Sequence, residues 1–275
     1  MLIDAHQHYW RIGRNGHEWP TPELAHIHRD FEPADWESVA VPIGVTASVA
    51  VQSQPGERDT DWLLRLADET PSIKAVVGWT ELKAADGPHN VHRLAGHPKL
   101  KGLRPMLQDL AEDDWIDDPA LDPAICAMID TELCFDALVF TRHLPHLRAF
   151  AERWPDLPIV IDHGAKPPIA NGQVEPWREQ MARLAELPNV MCKLSGLFTE
   201  MATGQSREAL APYVRHLAEL FGPERLMWGS DWPVILIAGE YDEWFRLAGE
   251  LTGFDERGRA ALFGGTAARF YGIRQ

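Results

Sequence analysis

Eight short apolar runs recur along this 275-residue chain, and no other feature restricts its fold as strongly. They cover residues 2–6, 46–52, 74–79, 101–105, 135–140, 158–163, 189–195 and 225–231. Most are continuous rather than alternating in polarity, as in strands covered on both faces. Between them lie stretches with the apolar spacing of amphipathic helices, at 57–69, 124–133, 143–153, 177–186, 207–221 and 241–251. In 57–69, Trp62, Leu63, Leu66 and Ala67 form one stripe. This alternation predicts a parallel β/α architecture. Eight units in this length suit a (β/α)8 barrel of the TIM type better than an open doubly wound sheet. No linker-like stretch or shift in composition divides the chain, so residues 1–275 are expected to form one domain.

Two segments fall outside the pattern. Residues 10–35 are rich in Trp, Pro and His and show no clear periodicity. They follow the first strand, so in a barrel they would lie over the catalytic mouth as a lid or substrate loop. Residues 107–119 follow the fourth strand and would lie on the same side.

The formal charge of −15 argues against a nucleic-acid partner, because phosphate contacts need clustered Lys and Arg. It also argues against binding an anionic membrane surface, and an acidic, solvated exterior accounts for it. No apolar run approaches the roughly 18 to 20 residues of a membrane span. The start of the chain lacks the basic region, apolar core and cleavage site of a secretory signal. Cys126, Cys134 and Cys192 are sparse and sit in apolar contexts, which reads as reduced thiols and makes the cytoplasm the expected compartment. The sequence leaves association open, a homo-oligomer included.

In barrels of this kind the active site gathers at the C-terminal ends of the strands. Here those ends carry His6 and His8, Gln52, Arg104, His163, Lys193 with Ser195, and Asp231. On an extended strand His6 and His8 point the same way. Three imidazoles and a carboxylate from three strands are the inventory of a mononuclear metal site, or of an acid–base cluster without metal. Each member also has a plainer reading. Asp162 and His163 face opposite ways on a strand, so only one of them can enter the lumen, and periodicity does not choose. Asp231 could cap the segment that follows it. Arg104, extended before Pro105, suits either a surface ion pair or a substrate oxygen. Lys193 is divided between a substrate contact and an internal ion pair. His17, His26, His28, His89, His92, His97, His143, His146 and His216 fall in loops or on helical faces and are expected to have no role in chemistry.

Five ordered motifs carry a resemblance: His6-Gln7-His8-Tyr9-Trp10, Gly102-Leu103-Arg104-Pro105, Asp162-His163-Gly164-Ala165-Lys166-Pro167, Lys193-Leu194-Ser195-Gly196-Leu197 and Gly229-Ser230-Asp231-Trp232-Pro233. They resemble the amidohydrolase superfamily, and within it the amidohydrolase family 2 branch that includes sugar lactonases of the L-fuconolactonase and L-rhamnonolactonase type. The closing Gly264-Gly265-Thr266-Ala267-Ala268-Arg269-Phe270-Tyr271 is similar to that branch as well. The likeness runs nearly end to end. It implies a distorted barrel that opens a lactone, with His6, His8, His163 and Asp231 in the metal-site positions. The 189–195 strand has no histidine, and Lys101 is the one weak candidate for a carbamylated bridge, so at most one divalent ion is expected. Zinc is the first choice, and metal-independent activity is the alternative.

Lactone hydrolysis needs an activated water, stabilisation of the oxyanion and a proton for the leaving alkoxide. Asp231 is the expected general base. His6, His8 and His163 would hold a zinc ion or donate to the carbonyl directly, and Arg104 would add a fork of donors. Gln108, Lys166 and Lys193 would contact a polyhydroxylated ring, with Trp10, Trp19 and Trp232 stacking on its apolar face. The expected partner is thus a small sugar lactone, an aldonolactone of the L-fucono, L-rhamnono or L-galactono type. A non-oxidative decarboxylase of a small aromatic or unsaturated acid is the alternative on the same barrel.

Overall fold

Each of the eight apolar runs forms a strand, and the strands follow one another round the sheet in chain order, all parallel. They are β1 Leu2–Gln7, β2 Val45–Val51, β3 Ile73–Gly78, β4 Leu100–Leu103, β5 Cys134–Ala137, β6 Ile159–Ile161, β7 Val190–Leu194 and β8 Leu226–Trp228. The helices are α1 Pro33–Ala40, α2 Glu57–Glu69, α3 Gly87–Ala95, α4 Asp122–Asp130, α5 Leu144–Arg153, α6 Trp177–Ala185, α7 Ala211–Arg225, α8 Tyr241–Leu251, α9 Glu256–Ala260 and α10 Thr266–Phe270. The result is a (β/α)8 barrel of the TIM type. This computed structural model describes residues 1–16 and 18–274, so His17 lies outside the described residues.

Two cores explain why the strands read as continuous apolar runs. Ile3, Ala5, Ala47, Val49, Val51, Ala75, Val77, Val160 and Met227 form an inner cluster, and the intervening strand residues pack outward against the helices. Ala267, Ala268, Tyr271 and Ile273 belong to the inner cluster too, so the C-terminal segment closes the barrel floor.

The helix spacing of 57–69 is realised in α2, which buries Leu63, Leu64 and Ala67 and carries Glu57 and Asp59 in its first turn, where carboxylates suit the helix dipole. Within 10–35 the chain turns helical at Pro33, and Asp35 accepts the Glu32 backbone N–H at 2.9 Å. The 107–119 stretch is a series of short 3₁₀ turns. Helix α3 was not expected from apolar periodicity; it is short and buries only Gly87, Val91 and Leu94.

The barrel is distorted where it closes. Strand β8 ends at Trp228, and β1 meets that edge of the sheet above it, through the parallel bridge Gln7–Trp232. Asp231 N donates to His6 O at 2.8 Å and His8 N to Trp232 O at 2.7 Å.

Candidate functional site

That closure brings the two ends of the chain's motif set together. Asp4 welds it from behind. Its Oδ1 accepts from Ser230 N at 2.8 Å, while Oδ2 accepts from the Ser230 hydroxyl at 2.6 Å, Trp36 Nε1 at 3.1 Å and Tyr241 Oη at 3.0 Å. The pairing of β1 with β2 slips by one residue between Asp4 and Gln7. Such a bulge breaks strict alternation, so Ala5 belongs to the inner core while His6 beside it still reaches the other imidazoles.

At the end of β6 the backbone departs from the strand. His163, Gly164, Ala165 and Lys166 all have positive φ, between 49° and 60°. This run corrects the expectation that only one of Asp162 and His163 enters the lumen. Both do, because His163 sits in the left-handed region, where the twofold alternation of a strand no longer holds. His163 Nδ1 is 2.8 Å from Ser195 Oγ. Gly196 lies against the same ring, where a Cβ would come within 2.5 Å of His163 Nδ1.

Four side chains then converge. Nε2 of His6 and Nε2 of His8 are 3.2 Å apart, and Asp231 Oδ1 lies 3.2 Å from His8 Nε2, 3.7 Å from His6 Nε2 and 3.9 Å from His163 Nε2. Among the described residues, His6, His163 and Asp231 put ligand atoms within 4.8 Å of one another, with His8 flanking that trio. Four ligands about 2.0–2.1 Å from a tetrahedral zinc would stand about 3.3 Å apart. The donor chemistry also fits a cation. His8 Nδ1 faces the Val51 carbonyl at 2.8 Å and must donate to it, so in the neutral ring Nε2 is an acceptor facing a carboxylate. His6 Nδ1 lies between Asp162 Oδ1 at 3.3 Å and Lys193 Nζ at 3.2 Å, and its Nε2 faces the cluster. Acceptors that converge in this way need a metal ion or a proton among them.

Burial pushes the His6 imidazole well below its ordinary value and His163 down to about 4, against the pull of nearby carboxylates. Burial alone would raise the Asp231 carboxyl, but His163, His8 and His6 facing it hold it below the usual carboxylate range. Asp231 is therefore an ionised acceptor at neutral pH.

Beneath this cluster lies a buried ionic layer that sequence reasoning only half anticipated. Arg104 is almost completely buried, with Nη1 3.2 Å from Asp162 Oδ2 and Nη2 donating to the Gln52 carbonyl. Lys193 is fully buried and bridges Asp136 and Asp162, its Nζ 3.0 Å from Asp162 Oδ1 and 3.2 Å from His6 Nδ1. The internal ion pair is thus where Lys193 lies, and direct contact with a substrate ring is corrected: it sits below the floor, not on the cavity wall. Asp162 faces both cations and stays ionised well below the usual range despite its burial, whereas burial pushes Asp136 up against the pull of Lys193.

Above the cluster opens a cavity of about 620 Å³. His8, His163, Asp231 and Arg104 form its base, and Gln108, Lys166, Thr199 and Glu200 line it with Trp19, Leu24, Leu138 and Ile237. Trp19 and Leu24 bring the 10–35 segment over the mouth. Trp10 and Trp232 do not reach the cavity. Both are buried and pack edge-on against Phe31, with ring centroids 5.4 and 5.1 Å away, so stacking of either on a substrate is corrected as well. Glu200 went unnoticed in the sequence, although its place just after β7 puts it on the catalytic face. Burial raises its carboxyl, with Lys166 opposing.

With this geometry in view, the likeness to known proteins is decisive. The amidohydrolase family model matches residues 3–273. The chain belongs to the amidohydrolase family. This amidohydrolase is 50% identical over 278 aligned residues to the L-fucono-1,5-lactonase of Burkholderia ambifaria, covering 98% of this chain and 95% of the relative. It is 37% identical to an L-fucono-1,5-lactonase of Burkholderia multivorans, over 99% of this chain and 96% of that one. A crystal structure of an amidohydrolase from Burkholderia multivorans with bound zinc superposes with a TM-score of 0.93 at 36% identity, covering both chains completely. No helix among the described residues of this amidohydrolase is long and apolar enough to cross a membrane.

Proposed function

We propose that this chain hydrolyses a sugar lactone of the aldono-1,5-lactone type, with Asp231 as general base. The observation that carries the reading is the cavity base, where one ionised carboxylate stands among three imidazoles beside a nearly buried guanidinium. The full-length similarity to two L-fucono-1,5-lactonases supports the substrate class.

Asp231 accepts a proton as water adds to the lactone carbonyl, and returns it to the ring oxygen when the C–O bond breaks. The hydroxy acid that results contains all atoms of lactone and water. Arg104 lines the cavity base and is held there by Asp162 and the Gln52 carbonyl. Its fixed positive charge beside the reacting carbonyl stabilises the oxyanion. His6, His8, His163 and Asp231 are the residues that would hold a zinc ion, which when bound supplies Lewis-acid polarisation of the carbonyl. Gln108, Lys166 and Glu200 offer both donors and acceptors to ring hydroxyls, which favours a sugar over the planar aromatic acid of a decarboxylase. Three unpaired cysteines suit a reducing compartment, and we place the protein in the cytoplasm.

A pH-stat screen of five- and six-membered aldonolactones, after chelation and again with added zinc, tests this reading. L-Fucono-1,5-lactone should be opened well above its spontaneous rate; no turnover across the panel would sink it. Asp231→Asn should lower kcat by roughly 10² to 10⁴ with the fold intact, and a near-normal rate would remove Asp231 from the general-base role.

A further inference from the structure

We propose that Asp162 is a positioning residue for this reaction, setting His6 and Arg104 against each other, and that a buried chain running through Lys193, Asp136 and Tyr271 to the C-terminal segment keeps it in place. The inference rests on the lactonase reading and extends it to residues that touch no substrate. Asp162 is fully buried and does not line the cavity. Its Oδ1 stands 3.3 Å from His6 Nδ1 and its Oδ2 3.2 Å from Arg104 Nη1, while Arg104 Nη1 is itself 3.4 Å from His6 Nε2. The three side chains close a triangle, and one carboxylate holds both partners.

This arrangement has chemical consequences on the cavity side. Asp162 Oδ1 and Lys193 Nζ together face His6 Nδ1, at 3.3 and 3.2 Å, and hold the ring with its Nε2 towards Asp231 and His8. Arg104, tied at Nη1 by Asp162 and at Nη2 by Gln52, can no longer rotate its planar fork. A loose guanidinium would reach the reacting oxygen in many orientations, and a fixed one in few.

A carboxylate at this depth needs a counter-charge. Lys193 supplies it from below, and its second partner, Asp136, accepts the Tyr271 hydroxyl at 2.8 Å. Tyr271 comes from the segment that plugs the barrel floor. Gly102 leaves room for the chain, since a Cβ there would lie 3.0 Å from Asp136 Oδ1. Buried ionic clusters add little net stability compared with well-packed apolar side chains. The orientation imposed on His6 and Arg104 is what an apolar packing could not reproduce.

The test is a double-mutant cycle on the full chain. Asp162→Asn and Arg104→Gln should each lower kcat/KM by roughly 10- to 100-fold, the range for orienting partners of a site. The double variant should fall no more than roughly threefold below the worse single one, because Asp162 acts through Arg104. Effects that multiply, or a folded Asp162→Asn with wild-type kcat/KM, would overturn the proposal. Zinc affinity, measured by competition with a chelating dye, gives a readout independent of any lactone. It should weaken roughly 10- to 100-fold in Asp162→Asn through His6, and unchanged affinity also counts against the proposal. Failure of the wild type to open any lactone would instead strike the functional reading and leave the zinc arm to judge Asp162. Should Asp162→Asn not fold, Tyr271→Phe decides, since it removes only one hydroxyl at the far end of the chain. A kcat lowered severalfold at unchanged KM supports the coupling, and an unaltered kcat returns the cluster to a purely structural role.

Discussion

At the scale of single residues, His163 concentrates most of what is unusual here. Its left-handed backbone lets it share the barrel interior with Asp162, and Ser195 and the bare Cα of Gly196 fix its ring. Gly196 itself has φ +64°, so Gly196→Ala adds backbone strain to a Cβ overlapping the imidazole. We expect this variant to lose roughly 10- to 100-fold in kcat as His163 leaves Ser195, a loss that steady-state kinetics on the folded protein would reveal or refute. The same residue makes stability depend on pH. In protein kept free of divalent ions, His163 titrates at about 4 when folded and near its ordinary value of about 6.5 when unfolded. Between those values the unfolded chain binds a proton that the native one does not, so stability rises with pH across the window and is lost as pH falls through it. Urea midpoints measured from pH 7 down to 4 should decline, and the decline should flatten in His163→Gln. His6, His8, His163 and Asp231 could all be named from the sequence, because they lie at or just past the ends of apolar runs and the motifs around them resemble the amidohydrolase set. The joint inward turn of Asp162 and His163 was not legible, because no residue pattern marks a non-glycine left-handed turn.

Among the elements, strand ends matter more than strand bodies. The apolar runs 158–163 and 225–231 shorten to β6 Ile159–Ile161 and β8 Leu226–Trp228, and their functional residues lie in the turns beyond. Those turns hold their shape through close backbone approaches, as at Gly229, where a Cβ would lie 2.7 Å from His6 Cβ. The seam between β1 and the β8 turn relies on Asp4, which gathers donors from Ser230, Trp36 and Tyr241. Asp4→Ala would strand these buried donors at about 1–3 kcal/mol each. Chemical denaturation should therefore register a loss of several kcal/mol, along with reduced activity as Asp231 drifts from His8; a loss below about 1 kcal/mol would mean the backbone bonds hold the seam without Asp4. In the sequence Asp4 reads as an ordinary acidic residue within a strand, since its partners lie 226 and 237 residues further on and 32 residues away on α1.

For the molecule as a whole, a barrel that would otherwise carry an apolar interior carries an ionic layer between floor and mouth. Lys193→Met leaves Asp136 and Asp162 without their shared ammonium, and removing one member of a buried pair costs about 3–5 kcal/mol. Thermal or urea unfolding should display this as a large destabilisation; a variant as stable as the wild type would mean that one carboxyl simply takes up a proton. The sequence by itself determined the (β/α)8 order, the face on which chemistry would gather and the four residues at its centre. The order and the face follow from local periodicity and from the rule that barrel sites lie at strand C-termini, whereas the choice of His163 over Asp162 among the four rests on the resemblance carried by the motifs. Only the tertiary structure decided that Lys193 serves the floor rather than a substrate, that Trp10 and Trp232 are packing, and that Glu200 reaches the cavity. Such assignments depend on which side chains from distant strands meet inside the closed barrel, and on the bulge and left-handed turn that aim them. The spacing of residues along one chain does not encode those meetings.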